Sequence, residues 1–211
     1  MKQIFVWSVN QKKNIIFVFK LFYFSITALI IIGFFMTLYN SQPLLLYEIG
    51  LLSGKAASII FIITISPGIM QRFNLNWQIR SLLVLFRRYL GISVYVLGFL
   101  HFSYIRLLPI IVGQINLNVI FTSFELFGLV SIFLLSFLFF TSNDFSMKKL
   151  GPWWKRIHRI IYVVAWLLFL HTALQRISVY SISLGIAAVF ELLSLVNYYG
   201  LRKKISTAQS S

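Results

Sequence analysis

Residues 86–105 read FRRYLGISVYVLGFLHFSYI, and this stretch decides the fold. Two arginines precede an apolar run long enough to cross a bilayer, which takes about 20 residues. The same pattern of basic residues before an apolar run recurs along the chain of 211 residues. Of these residues, 59% are hydrophobic and 11% are charged, whereas roughly 25% are charged in a typical soluble domain. A core of this size cannot hide so much apolar surface from water. The sequence therefore predicts an integral membrane protein whose main partner is the lipid bilayer.

Six apolar stretches predict an all-α bundle of six transmembrane helices. They cover approximately residues 15–39, 47–66, 89–108, 118–140, 159–175 and 178–198. The first follows basic residues as a signal peptide would, but it is too long and no small-x-small cleavage site follows, so we expect it to be retained. The predicted organisation is an N-terminal arm (1–14), a membrane domain (15–200) and a short basic tail, expected to be disordered (201–211).

The basic residues predict the orientation of the bundle. Four clusters lie on one side: Lys2, Lys12 and Lys13; Arg72, Arg80, Arg87 and Arg88; Lys148, Lys149, Lys155, Arg156 and Arg159; Arg202, Lys203 and Lys204. The opposite side has only Arg106 and Arg176. The positive-inside rule then puts both termini and the two long basic loops in the cytoplasm of a bacterial inner membrane. Because the cations form short clusters between apolar runs, the net charge of +15 does not indicate a nucleic-acid partner.

The inventory of reactive side chains is short. The chain has no Cys, three His and four acidic residues. Without Cys there are no disulfides, no thiolate metal sites, no iron–sulfur clusters and no covalent c-type haem. The histidines are therefore the leading candidates for chemistry, since a His inside a membrane is costly to keep.

His101 and His171 are predicted to lie at the same depth. Each follows the cytoplasmic start of its span by 12 residues, at Tyr89 and Arg159, which is about 18 Å of helix. A lone intramembrane His is often only a polar group satisfied between helices. Two imidazoles at one level on different helices can instead clamp a haem iron from opposite faces, with apolar walls excluding water.

The neighbours of these two histidines fit the same prediction. Gly98 precedes His101 by about one turn and would let a macrocycle approach the backbone. Arg106 and Arg176 each follow their His by five residues, near the outer surface. They could pair with haem propionates. The alternative is that both are ordinary interfacial anchors.

His158 precedes His171 by 13 residues, about 20 Å toward the cytoplasm. That spacing would suit a second, inner haem, but its partner on the third span would fall at Arg87 or Arg88 instead of a His. His158 therefore has two open interpretations: an inner haem or flavin role, and a structural role at the membrane edge.

Two segments resemble the ferric-reductase-like transmembrane domain family. The stretch 86–105 is similar to that family's third helix, with its RRxLG entry and embedded His. Residues 141–174, TSNDFSMKKLGPWWKRIHRIIYVVAWLLFLHTAL, resemble the following loop and helix with two histidines. A looser match covers residues 54–73. Short members without a fused flavin domain include the haem-binding membrane subunits of methionine sulfoxide reductase systems.

The resemblance implies six spans, b-type haem and, in some members, flavin mononucleotide (FMN). It maps His101 and His171 onto haem ligands and His158 onto the third histidine of the set. It also implies an electron-transfer subunit of an oxidoreductase. Electrons would come from a cytoplasmic flavin reductase, a reduced flavin or a quinol. They would pass to a periplasmic molybdenum-containing reductase or a ferric chelate.

The remaining charged residues have mainly structural interpretations. Lys55 and Glu125 are expected to form an interhelical ion pair, with a propionate contact or a proton path as alternatives. Glu191 is expected at the aqueous edge or paired with a basic loop. Asp144 is expected to cap a helix. Trp153 and Trp154 are expected to anchor the interface, and the same surface could dock an acidic flavoprotein or a flavin phosphate.

The rival function is a non-haem transporter or assembly factor that uses the histidines and Lys55 for a substrate or protons. Transporters of this kind often have broken helices. We expect none here, because Pro43, Pro67, Pro109 and Pro152 are predicted in loops or at helix ends.

Overall fold

The computed structural model describes residues 2–39, 43–75, 78–111, 113 and 122–209. Within these ranges every regular element is helical. The helices are α1 (Lys2–Asn10), α2 (Lys12–Leu38), α3 (Pro43–Arg72), α4 (Gln78–Phe102), α5 (Leu108–Ile111), α6 (Ser123–Phe140), α7 (Asp144–Leu150), α8 (Pro152–Ile157), α9 (Ile161–Gln175) and α10 (Val179–Gln209). A π-helical segment, Ser103–Leu107, joins α4 to α5, and a 3₁₀ turn, His158–Ile160, joins α8 to α9.

Among the described residues, six helical stretches are long and apolar enough to cross a membrane, which confirms the predicted all-α six-span class. Their ends differ from the prediction. The second span runs to Arg72 and the third begins at Gln78, so Arg80, Arg87 and Arg88 lie on α4 and not in a loop. The start of the predicted fourth span, 118–121, lies outside the described residues. The tail expected to be disordered is helical, because α10 continues to Gln209.

Two prolines lie inside helical stretches, contrary to the prediction that all would lie in loops or at ends. Pro67 is inside α3, where it cannot donate to the carbonyl of Ile63. The hydroxyl of Ser66 donates to that carbonyl instead, at 2.9 Å, so the helix continues. Pro109 follows the π-helical segment, in which the Leu108 amide donates to the Ser103 carbonyl. A π turn absorbs the missing donor at Pro109 by shifting the hydrogen-bond register one residue back.

The spans form a closed bundle. α3 packs on α4 and on α10, α10 packs on α9, α9 on α6, and α6 on α4. A buried apolar cluster fills the interior with residues from all five helices, including Phe61, Val94, Leu135, Val164 and Leu184. α2 lies outside this ring against α4. The Tyr23 hydroxyl donates to the Tyr89 carbonyl at 2.7 Å and fixes that contact.

Side-chain contacts join two of the predicted basic clusters, those of α3–α4 and of α7–α8, at one end of the bundle, which we call the basic face. It is formed by the C-terminal end of α3, the N-terminal end of α4, α7 and α8. Arg88 of α4 pairs with Asp144 of α7 at 2.5 Å. Trp154 of α8 donates to the Thr141 carbonyl at the end of α6, at 2.9 Å.

Candidate functional site: a pair of facing imidazoles

His101 near the end of α4 and His171 in α9 face each other inside the bundle. Their ring centres are 6.3 Å apart and the ring planes meet at 74°. The two spans run in the same direction along the bundle, so equal depth in the sequence becomes proximity in space. The predicted pairing of these two residues is therefore the arrangement that the fold produces.

Each imidazole is oriented by a backbone carbonyl on the preceding span. Nδ1 of His101 lies 2.8 Å from the carbonyl oxygen of Gly50 in α3, and Nδ1 of His171 lies 2.7 Å from that of Phe124 in α6. A carbonyl oxygen can only accept, so Nδ1 carries the proton in both rings. Nε2 of each ring is thereby left with its lone pair, and this is the atom that can ligate a metal.

Each imidazole also packs against a glycine one turn beyond that carbonyl. A Cβ at Gly54 would lie 2.7 Å from Nδ1 of His101, and a Cβ at Gly128 would lie 2.7 Å from Nδ1 of His171. Real Cβ atoms do not approach so closely. Glycine at these positions therefore gives each ring the room to reach the carbonyl.

Neither Gly54 nor Gly128 is predicted from the sequence pattern, which indicates Gly98 instead. A Cβ at Gly98 would meet Ile132 of α6 at 3.4 Å. The available signal was a glycine four residues after the accepting residue in both cases, Gly50 to Gly54 and Phe124 to Gly128.

The site thus consists of two equivalent halves. The hairpin α3–α4 and the hairpin α6–α9 each contribute a carbonyl and a glycine from their first helix and an imidazole from their second. No internal repeat is visible in the sequence, yet the two halves repeat the same contacts in space.

Arg106 and Arg176 have different surroundings. The guanidinium of Arg106 pairs with Glu125 of α6 at 3.0 Å, and both side chains are largely buried. Glu125 also accepts from the amide and hydroxyl of Thr122, which caps α6. The predicted pair of Glu125 with Lys55 is therefore wrong; Lys55 is exposed on α3. Arg176 is exposed just after α9, where its amide donates to the Thr172 carbonyl.

His158 lies apart from the facing pair, in the 3₁₀ turn on the basic face. Its Nε2 is 3.2 Å from the Thr141 hydroxyl. Its ring stacks on Trp154, with centres 4.0 Å apart and planes 28° apart. His158 is thus part of the contact that fixes α8 to the end of α6.

Glu191 and Asp144 each pair with an arginine of the basic face. Glu191 of α10 is buried and forms an ion pair with Arg72 of α3, as expected for a pairing with a basic segment. Arg72 also donates to the Ser194 hydroxyl at 2.8 Å. Asp144 is not the cap of α7: Asn143 caps it by accepting from the Ser146 amide.

The ion pair with Arg88 favours the ionised form of the Asp144 carboxyl group. The hydrogen bond from the Arg88 guanidinium, with the charge of that group, holds the pKa of the Asp144 carboxyl below its ordinary value. Asp144 is therefore ionised at neutral pH and its charge is matched by Arg88.

Among the described residues, no three His, Asp or Glu side chains gather into a group that could hold a metal ion. The facing pair therefore offers two protein ligands and no more. Two axial imidazoles in an apolar interior suit a metal whose remaining ligands come from a cofactor.

A protein family model matches most of the residues that form this site. The family model of the ferric reductase like transmembrane component matches residues 49–169. This match contains Gly54, His101, Gly128 and His158, and it ends two residues before His171. No solved structure matches the chain.

Two relatives carry the same protein name. The chain is 28% identical over 132 residues to the protein-methionine-sulfoxide reductase heme-binding subunit MsrQ of Agrobacterium fabrum, covering 62% of this chain and 56% of the relative. It is 32% identical over 123 residues to that of Rhizobium meliloti, covering 56% and 52%. The chain spans about half the length of the curated relatives it matches. The family match over more than half of the chain shows that this multi-pass membrane protein belongs to the ferric reductase like transmembrane component family.

Proposed function

We propose that this chain is the haem-binding subunit of a membrane electron-transfer system, in which His101 and His171 would hold the iron of one haem. The observation that carries the proposal is the facing pair of imidazoles, 6.3 Å apart, each with Nδ1 held by a carbonyl. The relatives whose names include a heme-binding subunit support it.

The distance between the rings fits two imidazoles on one metal. An imidazole nitrogen binds a transition metal at about 2 Å and lies about 1 Å from the centre of its ring, which separates two ring centres by about 6 Å. The 6.3 Å in this bundle agrees with that value. With no Cys in the chain, the haem would be held without covalent attachment, as b-type haem is.

The bound haem would supply one-electron chemistry. This chain's residues supply the surroundings. The carbonyls of Gly50 and Phe124 hold the rings in one tautomer and raise their basicity as ligands. The apolar cluster around Phe61 and Val164 excludes water and lowers the local dielectric constant. Arg106 lies on the same stretch as His101, toward the opposite face, and is our candidate partner for a haem propionate.

The proposed orientation assigns the electron donor and the electron acceptor to opposite faces of the membrane. We place the basic face in the cytoplasm of a bacterial inner membrane, where a flavin reductase, a reduced flavin such as FMN, or a quinol would deliver electrons. The acceptor on the opposite face would be a periplasmic molybdenum-containing reductase or a ferric chelate.

The decisive experiment is a dithionite-reduced minus oxidised absorption spectrum of the purified protein, expressed with added haem precursor. The wild type is expected to give the bands of low-spin haem with two axial histidines. His101→Ala and His171→Ala are expected to lose them while still eluting as monodisperse species. A wild type without haem bands would refute the proposal.

The helix irregularities at Pro67 and at the π turn before Pro109 give little support to the transporter alternative. Broken helices in transporters leave carbonyls free for ions. The carbonyl that Pro67 deprives of a donor is taken by Ser66, and the π turn before Pro109 makes its own hydrogen bond.

A further inference from the structure

The segment between α6 and α9 carries a surface that the proposed haem site does not use. We call residues 144–157, which comprise α7 and α8, the basic platform. Four exposed cations lie on it: Lys148, Lys149, Lys155 and Arg156. Its one acid, Asp144, is paired with Arg88, so the four positive charges are not balanced within the platform.

Large apolar side chains are exposed between these cations. Phe145 is 72% exposed, Trp153 is 61% exposed and Met147 is 44% exposed. Exposed aromatic side chains are unusual on a surface that faces only water, and next to a membrane span they are typical of the lipid interface.

The cations and the aromatic rings are paired. The Arg156 guanidinium lies 4.5 Å from the centre of the Trp153 ring, and the Lys149 ammonium lies 5.6 Å from that of Phe145. Each pair joins an apolar surface to a positive charge within one side-chain length. A phospholipid presents the same combination in complementary form, with a phosphate above acyl carbon.

The platform is fixed at the depth of the interface. Trp154, adjacent to Trp153, donates to the carbonyl of Thr141, the residue after α6. The Arg88–Asp144 pair ties the other end of the platform to α4. In the structure, the fifth stretch that can cross the membrane is Pro152–Gln175, so it begins at the first residue of α8. The platform therefore cannot extend far into the water on that side.

From these contacts we infer that the basic platform binds anionic phospholipids, with Phe145 and Trp153 among the acyl chains near the head groups and the four cations at the phosphates. A soluble acidic protein would need the same cations, but it gives no reason for aromatic side chains held at the membrane edge.

The test uses the absence of cysteine from the chain. Phe145→Cys and, separately, Trp153→Cys are labelled with a nitrobenzoxadiazole probe, and the full-length protein is placed in nanodiscs. One set contains phosphatidylcholine only, and the other contains equal parts of phosphatidylcholine and phosphatidylglycerol. We expect blue-shifted, brighter emission at both positions in the anionic nanodiscs. Leu75→Cys, on the same face between α3 and α4, serves as the control and should change little between the two lipids.

Charge neutralisation completes the test. Changing Lys148, Lys149, Lys155 and Arg156 to Gln should abolish the difference between the two lipids at position 145. Neutralising Lys12 and Lys13 in α2 should leave it intact. A probe that reports water in both nanodiscs, or a lipid effect that survives the fourfold neutralisation, would overturn the inference and leave the platform to a soluble acidic partner. Monodisperse elution of every variant shows that the fold is retained.

Discussion

Gly128 packs directly against the imidazole of His171, so closely that a Cβ at residue 128 would lie 2.7 Å from Nδ1 and 2.8 Å from Cε1. Gly54 has the same relation to His101. An added methyl group must push the ring away or shift a helix, which typically costs about 1–3 kcal/mol in a packed interior.

We therefore predict that Gly54→Ala and Gly128→Ala each reduce haem occupancy several-fold and alter the electron paramagnetic resonance signal of the oxidised protein. The matched control is Gly91→Ala, where the new Cβ would lie 3.9 Å from Thr64 in ordinary contact. Haem content and spectra identical to the wild type in both variants would contradict the role of the two glycines.

His158→Gln is predicted to retain the haem held by His101 and His171. The ring of His158 stacks on Trp154 and its Nε2 contacts Thr141, so the change removes a local contact worth about 1 kcal/mol. We expect a small drop in the thermal unfolding temperature and an unchanged ratio of haem to protein. Loss of half the haem would instead assign His158 to a second, inner haem.

Because Arg72 and Glu191 form a buried ion pair, we expect replacing one of them to destabilise the protein more than replacing both. Arg72→Met leaves a buried carboxylate without its partner and is expected to destabilise the protein by about 3–5 kcal/mol. Adding Glu191→Leu should restore much of that loss. Thermal unfolding in detergent measures both. A double variant no more stable than Arg72→Met would rule out charge burial as the cause.

Arg106→Gln is predicted to lower the haem reduction potential, because a guanidinium near a propionate favours the reduced iron. The same change leaves Glu125, its partner at 3.0 Å, without its ion pair. In the variant Arg106→Gln with Glu125→Gln, stability should recover and the potential should return toward the wild-type value, because one positive and one negative charge are then removed together. Redox titration followed by absorbance provides the measurement. An unchanged potential in Arg106→Gln alone would make Arg106 a structural residue.

The ion pair between Arg88 and Asp144 is expected to anchor α7 to α4 in a pH-dependent way. The folded pKa of Asp144 is held below the ordinary value by Arg88, so the pair contributes fully above the ordinary carboxyl pKa. The contribution is lost as the pH falls through the lowered folded pKa. Hydrogen exchange of residues 144–150 should be slower in the wild type than in Asp144→Asn at neutral pH, and equal in acid. A difference that persists in acid would contradict the assignment.

Much of this architecture could be predicted because lipid imposes it. Apolar length defines the spans, and equal distance from the membrane edge placed His101 opposite His171. The helix ends were less predictable. Their charge predicts a loop for Arg80, Arg87 and Arg88, but these residues lie on α4, because long cationic side chains can extend from a helix to water.

The partners of polar groups were the least predictable part of the site. Glu125 pairs with Arg106, which lies in the π turn before Pro109, and not with Lys55, which is exposed on α3. The glycines beside the histidines act through the absence of a side chain on a neighbouring helix. Only the packing of α3 on α4 and of α6 on α9 reveals that role.

The two equivalent halves of the site have a consequence for assembly. Each imidazole is oriented within its own hairpin, but neither hairpin holds both axial ligands. A haem held by both rings, as proposed, would bind only after the two hairpins dock, and it would then link one to the other. Because such a ligand binds only the docked state, its binding energy adds to the stability of the assembled bundle.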